Sequence, residues 1–267
     1  MTRLISEWMD DIRNKVKERE TVLKEKTGLS YLTLAAKASG WSAADMERAA
    51  QQISVGVVPV TSGEGIIGSF SEAVAAVTAA MGFRSFVTEK SDVSGIYEAY
   101  NREADIVFMA DDERYIAFNL NKKRMADNNA ATAAGYLTAL EEAHGPLAGK
   151  EVLLLGFGVV GQEFLKRLLK KGAGVTGYDS DAERLKSMAG SGAEILETIG
   201  DMRKFKILVD ATNQGGWIHS GMLHPDAWIA TPGVPLSLDE EARRAHEKRL
   251  IHDCLEIGTA SMLGFAL

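Results

Sequence analysis

The chain has 267 residues, 46% of them hydrophobic and 25% charged, an ordinary globular mixture with room for two modest domains. Lys+Arg 30 against Asp+Glu 37 leaves a net charge of −7, which argues against nucleic acid as a partner, because phosphate contacts would gain little. A single cysteine, Cys254, excludes an intrachain disulfide framework, and no His/Asp/Glu cluster has ligand spacing, so no metal is expected.

The opening stretch MTRLISEWMDDIRNKVKERE lacks the apolar run and small-residue cleavage site of a secretory signal. No segment approaches the ~18 apolar residues that span a bilayer. The expectation is a soluble, cytoplasmic protein without a membrane partner. In chain order, Leu4, Ile5, Trp8, Met9, Ile12, Val16 and Val22 keep a helical spacing over residues 3–26. That helix reads either as an amphipathic element packed on the first domain or as a lid over a substrate. Ser42, with Asp45 three positions on, starts a helix over 42–52. Val55–Val60 reads as a strand, followed by a turn of small residues, Thr61-Ser62-Gly63-Glu64-Gly65. A helix over 69–81, strands at 85–88 and 106–110, and a helix between them at 94–101 complete an alternating α/β first domain.

Residues 129–144, NAATAAGYLTALEEAH, form a helix stopped by His144-Gly145-Pro146. It reads as the link between a first domain, residues 1–127, and a second, residues 128–267. From residue 150 strands at 151–155, 174–178, 205–210, 227–230 and 249–254 alternate with helices at 159–171, 181–190 and 237–248. Residues 257–267 read as a closing helix. This alternation implies a parallel sheet with right-handed crossovers. Cys254 reads as a packed thiol within the last strand. His219 and His224 read as surface or capping residues.

The strongest motif is Gly156-Phe157-Gly158-Val159-Val160-Gly161, a G-x-G-x-x-G between the strand Val152–Leu155 and an amphipathic helix. Gly156 allows the tight turn, Gly158 lets backbone approach a diphosphate, and Gly161 lets helix and sheet pack closely. The helix start adds free N–H groups and a positive dipole end. Asp179 ends the next strand eighteen residues beyond Gly161, where a carboxylate can accept both ribose hydroxyls and repel a 2′-phosphate. The fold expected is therefore α/β in two domains, with an N-terminal substrate domain and a C-terminal Rossmann-type doubly wound parallel sheet that binds NAD. Thr212, Asn213 and Thr231, at later strand ends, read as candidates for the nicotinamide half or as ordinary loop residues.

Further stretches carry a resemblance: VPVTSGEGIIGSFSE at 58–72, DVSGIYEA and IVFMADD within 92–112, ATPGVP at 230–235 and EIGTASML at 256–263. With LLGFGVVG they make the chain similar to the pyrrolysine synthase family along nearly its whole length. The resemblance implies an NAD-dependent amine dehydrogenase whose substrate is L-lysine joined through its ε-nitrogen to 3-methyl-D-ornithine. It further implies oxidation of the terminal amine carbon, loss of ammonia and ring closure.

Substrate contacts carry over to Leu4, Val60 and the small residues after it including Ser62, Ala110, Asp111, Asn128 and Asp253. At Asn128 the family has A-N-N where this chain reads Ala126-Asp127-Asn128-Asn129, so Asn129 is an alternative. Asp253 stands where the family has a glutamate. Glu256 occupies a family glycine position and could share its role in holding an amino group. A water held by Asp111 or Asn128 is the expected proton acceptor. A homodimer is compatible with the sequence. The competing readings are a shikimate, alanine or methylene-tetrahydrofolate type of two-domain dehydrogenase, and a non-catalytic NAD sensor.

Overall fold

The computed structural model describes residues 6–267. Helix α1 (Ser6–Thr27) buries Met9, Ile12 and Val16 as their spacing predicts, but Val22, expected on the same face, is exposed and Leu23 is buried in its place. Helices α2 (Tyr31–Ser39) and α3 (Ala43–Gln52) each begin at a serine cap. At α2 the reciprocal partner of Ser30 is Thr33, where Glu or Gln is usual. The sequence reading has no helix there, and that substitution hides its start.

Strand β1 (Ser54–Val58), helix α4 (Phe70–Ala80), strand β2 (Arg84–Val87), helix α5 (Asp92–Asn101) and strand β3 (Ile106–Ala110) follow as expected to within a few residues. Strands β4 (Tyr115–Asn119) and β5 (Arg124–Asp127) then add an antiparallel meander. The sheet order is β2-β1-β3-β4-β5, with β1 parallel to both neighbours. The meander is absent from the sequence reading. Its β4 buries Tyr115, Ala117 and Asn119 in alternation, but a buried asparagine weakens the apolar signal. Asn119 is satisfied there by donating to the Ala266 carbonyl at 3.0 Å.

Helix α6 (Asn128–His144) leads to strand β6 (Glu151–Leu155), helix α7 (Val159–Lys170), strand β7 (Gly174–Tyr178), helix α8 (Ala182–Ser187) and the short strand β8 (Glu194–Ile195). Strand β9 (Ile207–Asp210), strand β10 (Trp228–Thr231), helix α9 (Glu240–Ala245), strand β11 (Leu250–His252) and helix α10 (Glu256–Ala266) complete the chain. The second sheet runs β11-β10-β9-β6-β7-β8, all parallel. Numbered within this sheet, that is the 3-2-1-4-5-6 order of a Rossmann fold.

Contacts divide the chain into two units: residues up to Gly135 with Leu255–Leu267, and Tyr136–Cys254. The division falls inside α6, and the closing segment belongs with the first unit rather than with the cofactor domain. The reason is physical. Every residue of α10 but Phe265 is buried, so the helix needs neighbours on all sides. Its glycines permit them: a Cβ on Gly258 would lie 2.7 Å from Thr132 Oγ1, and one on Gly264 would lie 2.8 Å from the Ala35 carbonyl. Cys254 lies half-buried in the bend after β11, not inside that strand. Among the described residues no helix is long and apolar enough to cross a membrane, and no group of His, Cys, Asp and Glu could hold a metal ion.

Candidate functional site

In the second unit the glycine-rich turn leaves β6 at Gly156, whose φ of +85° lies in the left-handed region. A Cβ there would also press on the Ala211 backbone at 3.0 Å. At Gly161 a Cβ would sit 1.9 Å from the Gly156 carbonyl oxygen, so the turn and α7 can close only on a glycine. Gly158 differs. Its Cβ would meet nothing nearer than 3.9 Å, so the protein's own packing does not demand glycine. An open position that is nevertheless glycine suits a ligand that approaches backbone closely, and the dinucleotide fits on that observation. The first intrahelical bond runs from Gln162 N to Gly158 O at 2.9 Å, which leaves the earlier N–H groups directed out of the helix start.

Asp179 is buried at the end of β7. Its Oδ2 accepts from Phe157 N at 2.6 Å and its Oδ1 from Asp181 N at 2.9 Å. These bonds lock the acid to the turn and leave further lone pairs for a sugar. The Phe157 side chain is fully buried beneath Gly177, so its contribution at the turn is backbone. Val159 is exposed, and Val160 is half-buried.

The candidates at later strand ends divide. Thr212 and Thr231 direct their hydroxyls at Asp210, at 2.7 and 3.0 Å, and Ser237 donates to the same carboxylate. Thr231 is wholly buried in this network, and only Asn213 stands exposed. Burial pushes the Asp210 carboxyl above its ordinary value, against the opposing pull of these donors. The sequence ends a strand at Asp210 but gives the acid no role of its own; the available signal is an acid closing the apolar run Ile207-Leu208-Val209.

In the first unit a shallow recess is lined by Val58, Pro59, Val60, Ile66, Ile67 and Phe70, with Ala110, Asp111 and Asp112 at the end of β3. Val60, Ala110 and Asp111, expected at the substrate, thus share one wall. The turn over it is pinned by distant acids. Asp92 accepts from Thr61 N and Oγ1 at 2.9 and 2.6 Å, and Asp112 Oδ2 accepts from Glu64 N at 2.6 Å. The Thr61 hydroxyl and then its N–H hold the Asp92 carboxyl below its ordinary range. Asp111 Oδ1 accepts from Glu113 N and Arg114 N at 2.9 and 2.7 Å, which leaves its Oδ2 without a protein partner among the described residues. Beneath the recess Phe70 meets Tyr115 edge-on at 5.3 Å, and the buried Tyr115 hydroxyl pairs with Thr259 at 2.9 Å.

The other expected substrate residues lie elsewhere. Ser62 is exposed and does not line the recess. Asn128 opens α6, and its Oδ1 accepts from Thr132 at 3.1 Å; Asn129 Oδ1 is buried with no hydrogen-bond partner among the described residues. The Asp253 backbone brackets the Tyr136 hydroxyl at 3.0 and 3.1 Å, within the second unit. Glu256 is fully buried, with Oε1 held by Arg19 at 3.1 Å and Oε2 by Leu255 N at 3.1 Å. It anchors α1 rather than standing open to an amine. Leu4 lies outside the described residues. His219 is exposed and pairs with Asp239 at 2.7 Å, and the half-buried His224 accepts from Asp226 N at 3.0 Å within its own loop.

Residues 9–126 match the family model of the pyrrolysine biosynthesis protein PylD, N-terminal domain. Residues 151–211 match the NAD binding domain of 6-phosphogluconate dehydrogenase. The chain is 36% identical over 263 residues to pyrrolysine synthase of Methanosarcina barkeri strain Fusaro, covering 98% of this chain and 97% of that protein. Against pyrrolysine synthase of Methanosarcina acetivorans it is 35% identical over 264 residues, covering 98% of each. The chain belongs to the pyrrolysine synthase family. Solved structures outside that family share its fold. Shikimate dehydrogenase from Aquifex aeolicus superposes with a TM-score of 0.54 at 13% identity, covering 80% of this chain and 90% of that one. Quinate dehydrogenase from Corynebacterium glutamicum, solved with NAD, gives 0.53 at 14%, covering 80% and 93%. Family membership and the Rossmann-type nicotinamide domain together make this pyrrolysine synthase family member a dehydrogenase.

Proposed function

We propose that the protein oxidises L-lysine-Nε-3-methyl-D-ornithine with NAD, and that the product closes to pyrrolysine. The observation that carries this reading is the recess of the first unit. There two acids stand among apolar side chains contributed by separate stretches, and the substrate is a set of ammonium groups on hydrocarbon chains. NAD, held at residues 156–161 and Asp179, would supply the acceptor for a hydride from the ornithine side-chain amine carbon.

The chain's residues do the rest. The turn at 156–161 cradles the diphosphate with backbone N–H groups, and Asp179 accepts the ribose hydroxyls. The same carboxylate disfavours a 2′-phosphate, so NAD is preferred to NADP. Asp111, through Oδ2, pairs with a substrate ammonium and holds the water that takes its proton. The resulting imine adds water and loses ammonia, leaving an aldehyde. The ornithine α-amine attacks that carbon and expels water, which closes the ring. Val60 and Ala110 supply the recess wall, and Asn128 is a further substrate contact that the resemblance implies. Glu256 is withdrawn from that set, because Arg19 occupies it.

The test is incubation with the isopeptide and NAD, following NADH by absorbance and pyrrolysine by mass spectrometry. The expected result is both products, with no NADH from shikimate or alanine. NADH from either of those, and none from the isopeptide, overturns the reading.

A further inference from the structure

The acid expected to choose NAD has a cation beside it. Arg184, within α8, places Nη1 at 3.7 Å from Asp179 Oδ2 and Nε at 3.4 Å from Asp181 Oδ2. The same Nη1 is the heavy atom nearest to where a Cβ on Gly158 would lie, at 3.9 Å. One guanidinium therefore reaches from the ribose acid to the mouth of the diphosphate turn. Its side chain is 54% exposed, so it is free to re-aim, whereas Asp179 is fixed by Phe157 N and Asp181 N.

A carboxylate at this strand end favours a free 2′-hydroxyl, and a guanidinium favours a 2′-phosphate. This chain carries both, within one ion pair. We propose that Arg184 is a second specificity determinant of the dinucleotide site. With NADP(H) its guanidinium leaves the two aspartates and pairs with the 2′-phosphate, so discrimination against that cofactor is graded instead of absolute. With NAD(H) it stays on Asp179 and Asp181 and contributes little. This rests on the reading that residues 156–161 and Asp179 hold a nicotinamide dinucleotide.

The test is direct binding to the full chain, by fluorescence titration with NADH and with NADPH. The wild type is expected to bind NADH more tightly yet NADPH measurably. Arg184→Gln is expected to weaken NADPH about tenfold or more and NADH less than about threefold, the scale of one lost charge-assisted pair. Arg184→Lys, a point charge without the planar fork, should restore part of the NADPH affinity. Equal losses for both cofactors would place the guanidinium on a part they share and overturn the proposal. So would no change in either, or a wild type that binds NADH but not NADPH. A wild type that binds neither removes the cofactor reading itself, and this proposal with it.

Discussion

Each unit contains a parallel strand, a turn rich in small residues and a helix, and the two turns hold their shape by different means. Between β6 and α7 the turn is short, and backbone sterics fix it. Gly156 supplies a left-handed φ of +85°, and Gly161 removes a Cβ that would strike the Gly156 carbonyl at 1.9 Å. Between β1 and α4 residues 59–69 wander much further, and acids from remote segments fix them. Asp92 comes from the start of α5, and Asp112 from just past β3. The first turn carries most of its instructions within six residues, with one acid, Asp179, bonding Phe157 N from twenty-two residues on. The second borrows them from positions thirty to fifty residues away. Local sequence can therefore specify a shared, generic ligand such as a diphosphate, while the substrate-facing turn depends on the assembled domain.

The largest expected effect breaks the first half of this contrast. Gly161→Val should unfold the second unit or cost it several kcal/mol, because the clash is with backbone and cannot relax cheaply; thermal denaturation measures it. Gly158→Val separates packing from binding. Its Cβ meets only Arg184 at 3.9 Å, so the melting temperature should hold while NADH affinity falls about tenfold or more. An unchanged NADH affinity would show that the open position serves no ligand.

Asp179→Ala should follow, with NADH binding weaker by about 1.5–3 kcal/mol, the worth of a charge-assisted bond. Asp112→Ala tests the second half. Freeing Glu64 N should raise KM for the isopeptide several-fold and leave the dissociation constant for NADH unchanged. The smallest effect concerns pH. Thr61 holds the Asp92 carboxyl below its ordinary range, so the stabilisation is present above the usual aspartate pKa and lost as pH falls through the lowered value. Protection of the Thr61 amide, taken as its exchange rate relative to an unstructured peptide at the same pH, should fall on acidification across that window, and Asp92→Asn should abolish the dependence.

The same contrast explains what the sequence made legible. The parallel strands of the second sheet except the two-residue β8, and the fingerprint, are readable, because apolar runs, glycines and Asp179 all act near their own positions. β4 and β5 are not, since buried Asn119 is satisfied only by the distant Ala266 carbonyl. Glu256 read as an amine ligand because nothing in EIGTASML announces Arg19, which lies on α1 and holds it at 3.1 Å. The role of Asp210 is hidden for a similar reason: its donors Thr231 and Ser237 converge only once β9 and β10 are paired. Thr212 and Thr231 do stand at strand ends, but their hydroxyls serve that acid.

The burial of α10 among the elements of the first unit has a bearing on synthesis. Residues 255–267 follow the whole second unit along the chain, yet they fill the interior of the first. A nascent polypeptide emerging from the ribosome can close its dinucleotide half on schedule, while the earlier half waits with an open seat beside α2. A fragment ending at residue 127 would keep that seat empty, and exposed hydrocarbon of this kind recruits chaperones or drives aggregation.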